Sequence, residues 1–439
     1  MNTYEKESLA AYVIDLAKKY GANEISIDLS EDREFGVQFS NGEIEQLNES
    51  QQSSLSVNLY CQHKFSSHST NNLNIDALKG FIEKAVHATF FLTADKFREL
   101  PDSKYYPAVY DIDLKLFDPT FDQVKIKDRI DLVKEIYETS RNVSDRIISV
   151  AAGYADTIYS NFKVHSNGFS GHTCGTTFSV SAEVSVVDND SRPEDWYSVQ
   201  TRFRNNIPDA AIIGRKAVHC ALRRIGQGKI KSGHYNMLVE NRAARRLISM
   251  LISPMAASAI QQKSSYMDGM IGNTVASKIL TLQDHPLIPG GLGSKIFDDE
   301  GIAAKERTVI ENGVLQQYYV DNYYSKKLGI EPNGGMSSNL LFTIGNQSLE
   351  EIITCLKKGI LITGFNGGDF NSTTGDFSFG VSGCLIEKGQ LIKPINEMNV
   401  AGNAKTFWKK LIQLGDDPYP YSKWQVPSLL FEDVYFSGL

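Results

Sequence analysis

Phe178, Val180, Ala182, Val184 and Val186 place an apolar side chain at every second position, the period of a strand that buries one face and shows the other to water. A chain carrying such a run must build a sheet with something packed against it. Helical spacing supplies the packing material: Leu9, Tyr12, Val13, Leu16 and Tyr20 recur on one face, with Asn2 and Glu5 at capping-box distance and Gly21 placed to end the helix. Ile75, Leu78, Ile82, Ala85 and Val86 mark a second helix. Asp118-Pro119 is read as opening a third, carrying Val124, Ile130, Val133 and Ile136, and Asp209 as capping a fourth with Ile213, Ala217, Leu222 and Ile225. Between Ile25 and Tyr60 short β-rich runs surround Asn41-Gly42, a pair suited to a tight hairpin turn, and predict three or four antiparallel strands. A connection containing Pro and Tyr fills residues 95–117.

Beyond the GQGKIKSG stretch the texture changes, and a boundary there divides the chain into an N-terminal domain, 1–228, and a C-terminal domain, 229–439. The second part predicts helices near Glu240–Leu251 and Leu349–Lys358 and otherwise short strands punctuated by glycine, with turns at Asn312-Gly313 and Lys388-Gly389. The expected class is α+β: an antiparallel sheet with packed helices, followed by a mostly antiparallel sheet or partly closed barrel with few helices.

Composition removes several functions. A net charge of −7 gives no long-range attraction to nucleic acid or anionic membrane. The N-terminus carries Glu5, Lys6 and Glu7 where a signal peptide needs an apolar run, and no stretch approaches bilayer-spanning length, so a soluble cytoplasmic protein is expected. The five cysteines (Cys61, Cys174, Cys220, Cys355, Cys384) are scattered and odd in number, which suits reduced thiols. Gly226-Gln227-Gly228-Lys229-Ile230 does not follow the phosphate-loop pattern. The oxygens of Asp369, Asn371 and Thr373 fail as a calcium loop, because Thr374 and Gly380 stand where Gly and Glu are needed. No serine has nucleophile-elbow flanks, and His172-Thr173-Cys174 would share only a surface on a strand.

A zinc peptidase helix needs two histidines about one turn apart with a glutamate as base. The helix near Glu240 reads ENRAARRLISML, with no histidine, and the eight histidines of the chain share no helical face. Two other segments attract attention. Asp298, Asp299 and Glu300 gather three carboxylates beside Gly301, as a cation or peptide N-terminus site or as a solvated turn. Residues 373–383, including Thr374, Gly375, Asp376, Ser378 and Gly380, alternate glycines, hydroxyls and aromatics in a strand-like run. That run reads either as an edge accepting an extended peptide by strand addition or as a bulge or barrel corner.

The succession SSYMDGMIGNTVAS, LTLQDHP, GGLGSKIFDDEGIAAKERTVIENGVLQQYYVDNYYSKKLG, SSNLLFTIGNQSLEEII and GILITGFNGGDFNSTTGDFSFGVSGCLIEKGQLIKPINEMNVAGN, continuing to LGDDPYP and VPSLLFEDVYFSGL, resembles the TldD/PmbA family, in its TldE/PmbA-type subunit. The resemblance covers almost all of 236–439, and SNGEIEQL and TIYSNFKVHSNGFSG extend it into the first half. It implies a heteromeric zinc peptidase acting on unfolded or leader-type peptides. In it, TldD-type chains carry an H-E-x-x-x-H helix and a later cysteine ligand, and TldE/PmbA-type chains neither. Here the helix position holds no histidine and the cysteine position reads GDDPYPYSK. The resemblance therefore implies a non-catalytic subunit, without metal of its own, that walls a peptide-binding chamber. It would pair with a zinc-bearing TldD-like chain, or with itself when alone. The alternatives are an independent hydrolase using Asp298, Asp299 and Glu300, or a peptide-binding module without a peptidase partner.

Overall fold

The structure is a computed structural model in which residues 2–108 and 112–439 are described; residues 109–111 of the expected connection lie outside them. Helix α1 (Thr3–Lys19) starts from a reciprocal cap, the Asn2 side chain accepting the Glu5 N–H at 2.9 Å and Glu5 accepting the Asn2 N–H at 2.8 Å. Strands β1 (Glu24–Ser40), β2 (Glu43–Cys61) and β3 (Lys64–Thr70) follow, then α2 (Ile75–Thr89) and α3 (Ile126–Arg141). Strands β4 (Ile147–His165), β5 (Ser170–Val186) and β6 (Glu194–Thr201) precede α4 (Ala210–Leu222). The six strands form one antiparallel sheet in the order β3-β2-β1-β4-β5-β6.

Two expectations are corrected here. Residues 24–61 make two long strands rather than three or four, paired from Glu24↔Tyr60 to Ser40↔Glu43 with a single irregularity at Gln38/Phe39. The first half of β2, Glu43–Gln52, is exposed, so hydrophobic alternation vanishes there although pairing continues. The third helix begins at Ile126, not at Asp118-Pro119, and Val124 lies ahead of it. The Asp118 carboxylate instead accepts from Thr120 (2.9 Å from N, 2.7 Å from Oγ1) and from the Arg204 N–H at 2.8 Å, which makes it a turn anchor.

All four helices lie on one face of the sheet. Ile25, Ile27 and Leu29 of β1 meet α1 and α2, while Phe35, Val37 and Phe39, on the same side of the same strand, meet the core under α3 and α4 together with Phe178, Val180, Ala182, Val184 and Val186. A buried ion pair joins α3 to the sheet. Arg129 donates to both oxygens of Asp156 (2.6 and 3.1 Å), Tyr154 donates to one of them at 2.6 Å, and Asp156 is 1% exposed.

The second half runs β7 (Gly233–Val239), α5 (Asn241–Ile252), α6 (Ala257–Gln261), β8 (Leu282–Asp284), β9 (Arg307–Glu311), β10 (Val314–Leu315), α7 (Asn322–Leu328), β11 (Leu340–Phe342) and α8 (Leu349–Cys355). Three long strands come next, β12 (Lys358–Phe370), β13 (Asp376–Glu387) and β14 (Gln390–Asn403), and then α9 (Ala404–Phe407), β15 (Leu411–Leu414), β16 (Trp424–Gln425) and β17 (Leu429–Ser437). The expected helix to Lys358 stops at Cys355 because Lys358 already pairs with Glu387 in the sheet. Strands β14-β13-β12-β7-β17 are joined in sequence, and Asn399↔Ser437 and Val400↔Phe436 bring β17 back to β14. The result is a closed five-stranded barrel with one parallel contact, β7 to β12. Met237, Val239, Ile360, Ile362, Phe379, Val381, Val400, Phe431 and Phe436 fill its core, and α8 covers the outside at Leu238, Leu361, Ile386 and Leu430. The short strands form a second sheet, β10-β9-β8-β11-β16. The class is α+β as expected, with the barrel closed.

Replacing Asp156 by Ala leaves a buried guanidinium without its carboxylate. The expected loss is about 3–5 kcal/mol, checked by urea denaturation of D156A against the parent protein.

Candidate functional site

A cleft of about 790 Å³ lies where α5 faces the far end of β12 and the edge strand β6. Helix α5 is amphipathic in the strict sense. Ala244, Leu247, Ile248 and Leu251 enter the barrel core, and Arg242, Arg245, Arg246 and Ser249, at i, i+3, i+4 and i+7, line the cleft. Arg224, Glu194, Asp195 and Trp196 form a wall from the first half of the chain, and Trp424 closes another side. The run 415–423 lies beside the start of α5, the Asn241 amide donating to the Asp417 carbonyl at 2.7 Å and the Asn241 N–H to Ser428 Oγ at 3.2 Å.

The four arginines differ in how they are held. Arg242 shares Asp195 at 3.5 Å and stacks on Trp196, 5.4 Å from the ring centroid. Arg224 donates to the Glu194 carbonyl and to Gln227 at 3.1 Å. Arg245 sits 5.7 Å from the Trp424 ring and Arg246 4.8 Å from the Phe379 ring, and among the described residues neither has a carboxylate within ion-pair distance. Nearby, burial and then the positive charges of Lys295 and Arg245 hold the Lys423 ammonium below the usual lysine range. The local field is positive although the chain is acidic.

Backbone also faces the cleft. β12 pairs with β7 only as far as Ile362, where the Glu240 N–H donates to the Ile362 carbonyl at 3.0 Å. Thr363, Gly364, Phe365, Asn366 and Gly367 then line the cleft with that edge of the strand unpaired among the described residues.

The segment 373–383 occupies a different position from the one strand addition requires. β13 is hydrogen-bonded to β12 on one side and β14 on the other, so it offers no free edge, and that expectation is corrected. Its glycines serve bulges, since a Cβ on Gly380 would collide with the Asn366 carbonyl and one on Gly383 with the Leu361 carbonyl. Thr374, Gly375 and Asp376 form the β12–β13 turn. Thr374 donates to Asp376 at 2.7 Å and Asn403 to Asp376 at 2.8 Å, while Ser378 accepts from Asn399 at 2.8 Å.

The carboxylates of 298–300 separate. Asp299 is exposed, while Asp298 is 6% exposed and accepts from the Glu300 and Ile302 N–H groups, both at 2.9 Å. Glu300 accepts the Asn322 N–H at 2.6 Å. This is a hydrogen-bonded turn wedged at the joint of the two halves, next to Phe169 and Phe297, rather than a solvated one. Burial pushes Asp298 up to about 6, against its two N–H donors; burial and the neighbouring Asp298 and Asp321 push Glu300 up to about 8, against the Asn322 N–H. Among the described residues no three His, Cys, Asp or Glu side chains gather in a way that would hold a metal ion.

Domain models described as PmbA/TldA metallopeptidase domain 1, central domain and C-terminal domain match residues 26–89, 119–225 and 232–438. The chain belongs to the PmbA/TldD family. The metalloprotease PmbA of Escherichia coli O157:H7 is 25% identical over 402 residues, covering 90% of this chain and 88% of that one. A crystal structure from Bacteroides thetaiotaomicron, of a candidate modulator of DNA gyrase, superposes with TM-score 0.97 at 38% identity over all of both chains. TldE from Thermococcus kodakarensis shares the fold, with TM-score 0.86 at 19% identity over 98% of this chain and all of that one. The zinc of PmbA/TldD metallopeptidases does not fit the α5 cleft of this member: its lining offers four guanidinium groups, hydroxyls, indoles and the adjacent carboxylates Glu194 and Asp195, the latter paired with Arg242, but neither His nor Cys. The missing histidine of ENRAARRLISML is legible in the sequence, and Arg242, Arg245 and Arg246 at i, i+3 and i+4 are the sequence signal that marks this face.

A carboxyl whose pKa is raised on folding keeps its proton in the native state after the unfolded chain has released it. Stability from Glu300 and Asp298 is therefore complete below about pH 4 and declines as pH rises toward 8. Glu300→Gln, which keeps the acceptor for Asn322, is expected to raise the Tm at pH 8 and leave it close to the parent value at pH 4.5, as read by thermal melts across that range.

Proposed function

We propose that this chain is the non-catalytic subunit of a zinc peptidase pair, enclosing unfolded or leader-type peptides while a TldD-like partner cuts them. The observation that carries this reading is the α5 face, where Arg242, Arg245, Arg246 and Ser249 occupy the cleft in place of a metal-binding set. A guanidinium is always protonated and has no lone pair to give a metal, so this face suits holding a ligand rather than activating a water. The open β12 edge and the two tryptophans suit an extended chain. The turn at Asp298 and Glu300 uses its carboxylates to hold backbone N–H groups, which argues against an independent hydrolase there. Thr374, Gly375, Asp376, Ser378 and Gly380 remain proposed peptide contacts by their place on the hairpin that includes β12. Among the described residues no helix is long and apolar enough to cross a membrane, and a cytoplasmic setting is part of the proposal. Two chains of one family pair most simply through equivalent surfaces.

Co-expression with a TldD-like chain carrying H-E-x-x-x-H tests the reading. The purified pair is expected to hold zinc and cleave an unfolded casein, this chain alone to do neither, and a chelator to stop cleavage without lowering this chain's own Tm. Stoichiometric zinc and cleavage by this chain alone would overturn it.

A further inference from the structure

We propose that the α5 cleft selects acidic extended peptide segments, with Arg245 and Arg246 receiving their side-chain carboxylates. The peptide class rests on the reading above; the charge selectivity is new and rests on the cleft itself. Four arginines line the space against two carboxylates, and one of those, Asp195, is already shared with Arg242. Arg245 and Arg246 are exposed, free of ion pairs among the described residues, and seated over Trp424 and Phe379 rings. Arg246 donates to the Gly368 carbonyl at 3.5 Å, a long contact that leaves its other N–H groups available, and a guanidinium held beside an aromatic ring with N–H groups to spare suits a carboxylate better than a neutral side chain.

The open edge of β12 sets the form of the ligand. Between the two bulges, Gly364 to Asn366 offers regularly extended backbone over about 10 Å, enough for three residues laid alongside. A peptide there lies against the arginine face of α5, because both line the same cleft. Nucleic acid fits less well. Two guanidinium groups without carboxylate partners make no continuous basic track for successive phosphates.

The test uses the full chain and fluorescein-labelled, N-acetylated, C-amidated decapeptides in which Glu, Gln or Lys occupies alternate positions, read by fluorescence anisotropy. The Glu peptide is expected to bind at least about ten-fold more tightly than the Gln peptide, with the Lys peptide weakest. The double variant R245Q/R246Q should bring the Glu peptide to the Gln affinity with an unchanged circular dichroism spectrum. R245K/R246K should restore part of the preference, and R215Q, on the exposed face of α4, should change nothing. Equal affinity for the Glu and Gln peptides, no binding of either, or an unaltered preference in R245Q/R246Q would each overturn the proposal. So would a single-stranded DNA decamer that binds through the same two arginines more tightly than the Glu peptide. Equal affinities would leave the subunit reading standing, whereas zinc and cleavage by the isolated chain would overturn that reading and leave the acidic preference to be judged on its own.

Discussion

Closure of the barrel by β17 is the constraint from which the second half takes its shape. One edge of β17 pairs with β7 and the other with β15 and then β14, the change of partner occurring around Asp433, which adopts a positive φ of 50°. Closure removes two exposed sheet edges at once. It also fixes the end of β7, and with it the point at which α5 begins. The arginine face is aimed into the cleft because Val239 is held between Ile362 and Leu429.

The cleft exists because β12 outruns its neighbour. β7 turns into α5 after Val239, and β12 continues for eight residues to Phe370. Bulges between Ile362 and Gly364 and between Asn366 and Asp369 bend this extension. β6, at the edge of the first sheet, then supplies the facing wall, so both halves of the chain contribute to the site.

Local features were legible and distant ones were not. The Asn2–Glu5 cap, the 178–186 alternation and the Asn41-Gly42 turn are each written within a few residues, and each appears in the structure where expected. The length of the β1–β2 hairpin is hidden in the sequence because its outer part is exposed and polar, which erases the two-residue period without breaking the pairing. The barrel needs β17 to pair with β7, about two hundred positions earlier, and no local pattern announces it. The arginines of α5 were visible as residues. Their meaning depends on Trp424, β12 and β6, brought to them from far along the chain.

The order of synthesis gives the same closure a temporal side. The β1–β2 hairpin needs only residues 24–61 and can pair as soon as they emerge, and the whole first sheet is available once Thr201 has been made. β7 must wait with its apolar residues Met237, Leu238 and Val239 uncovered until 358–362 and 429–436 arrive to flank it. For that interval a nascent chain carries an unpaired hydrophobic strand beside a finished domain, which makes β7 the segment most in need of protection from aggregation during translation.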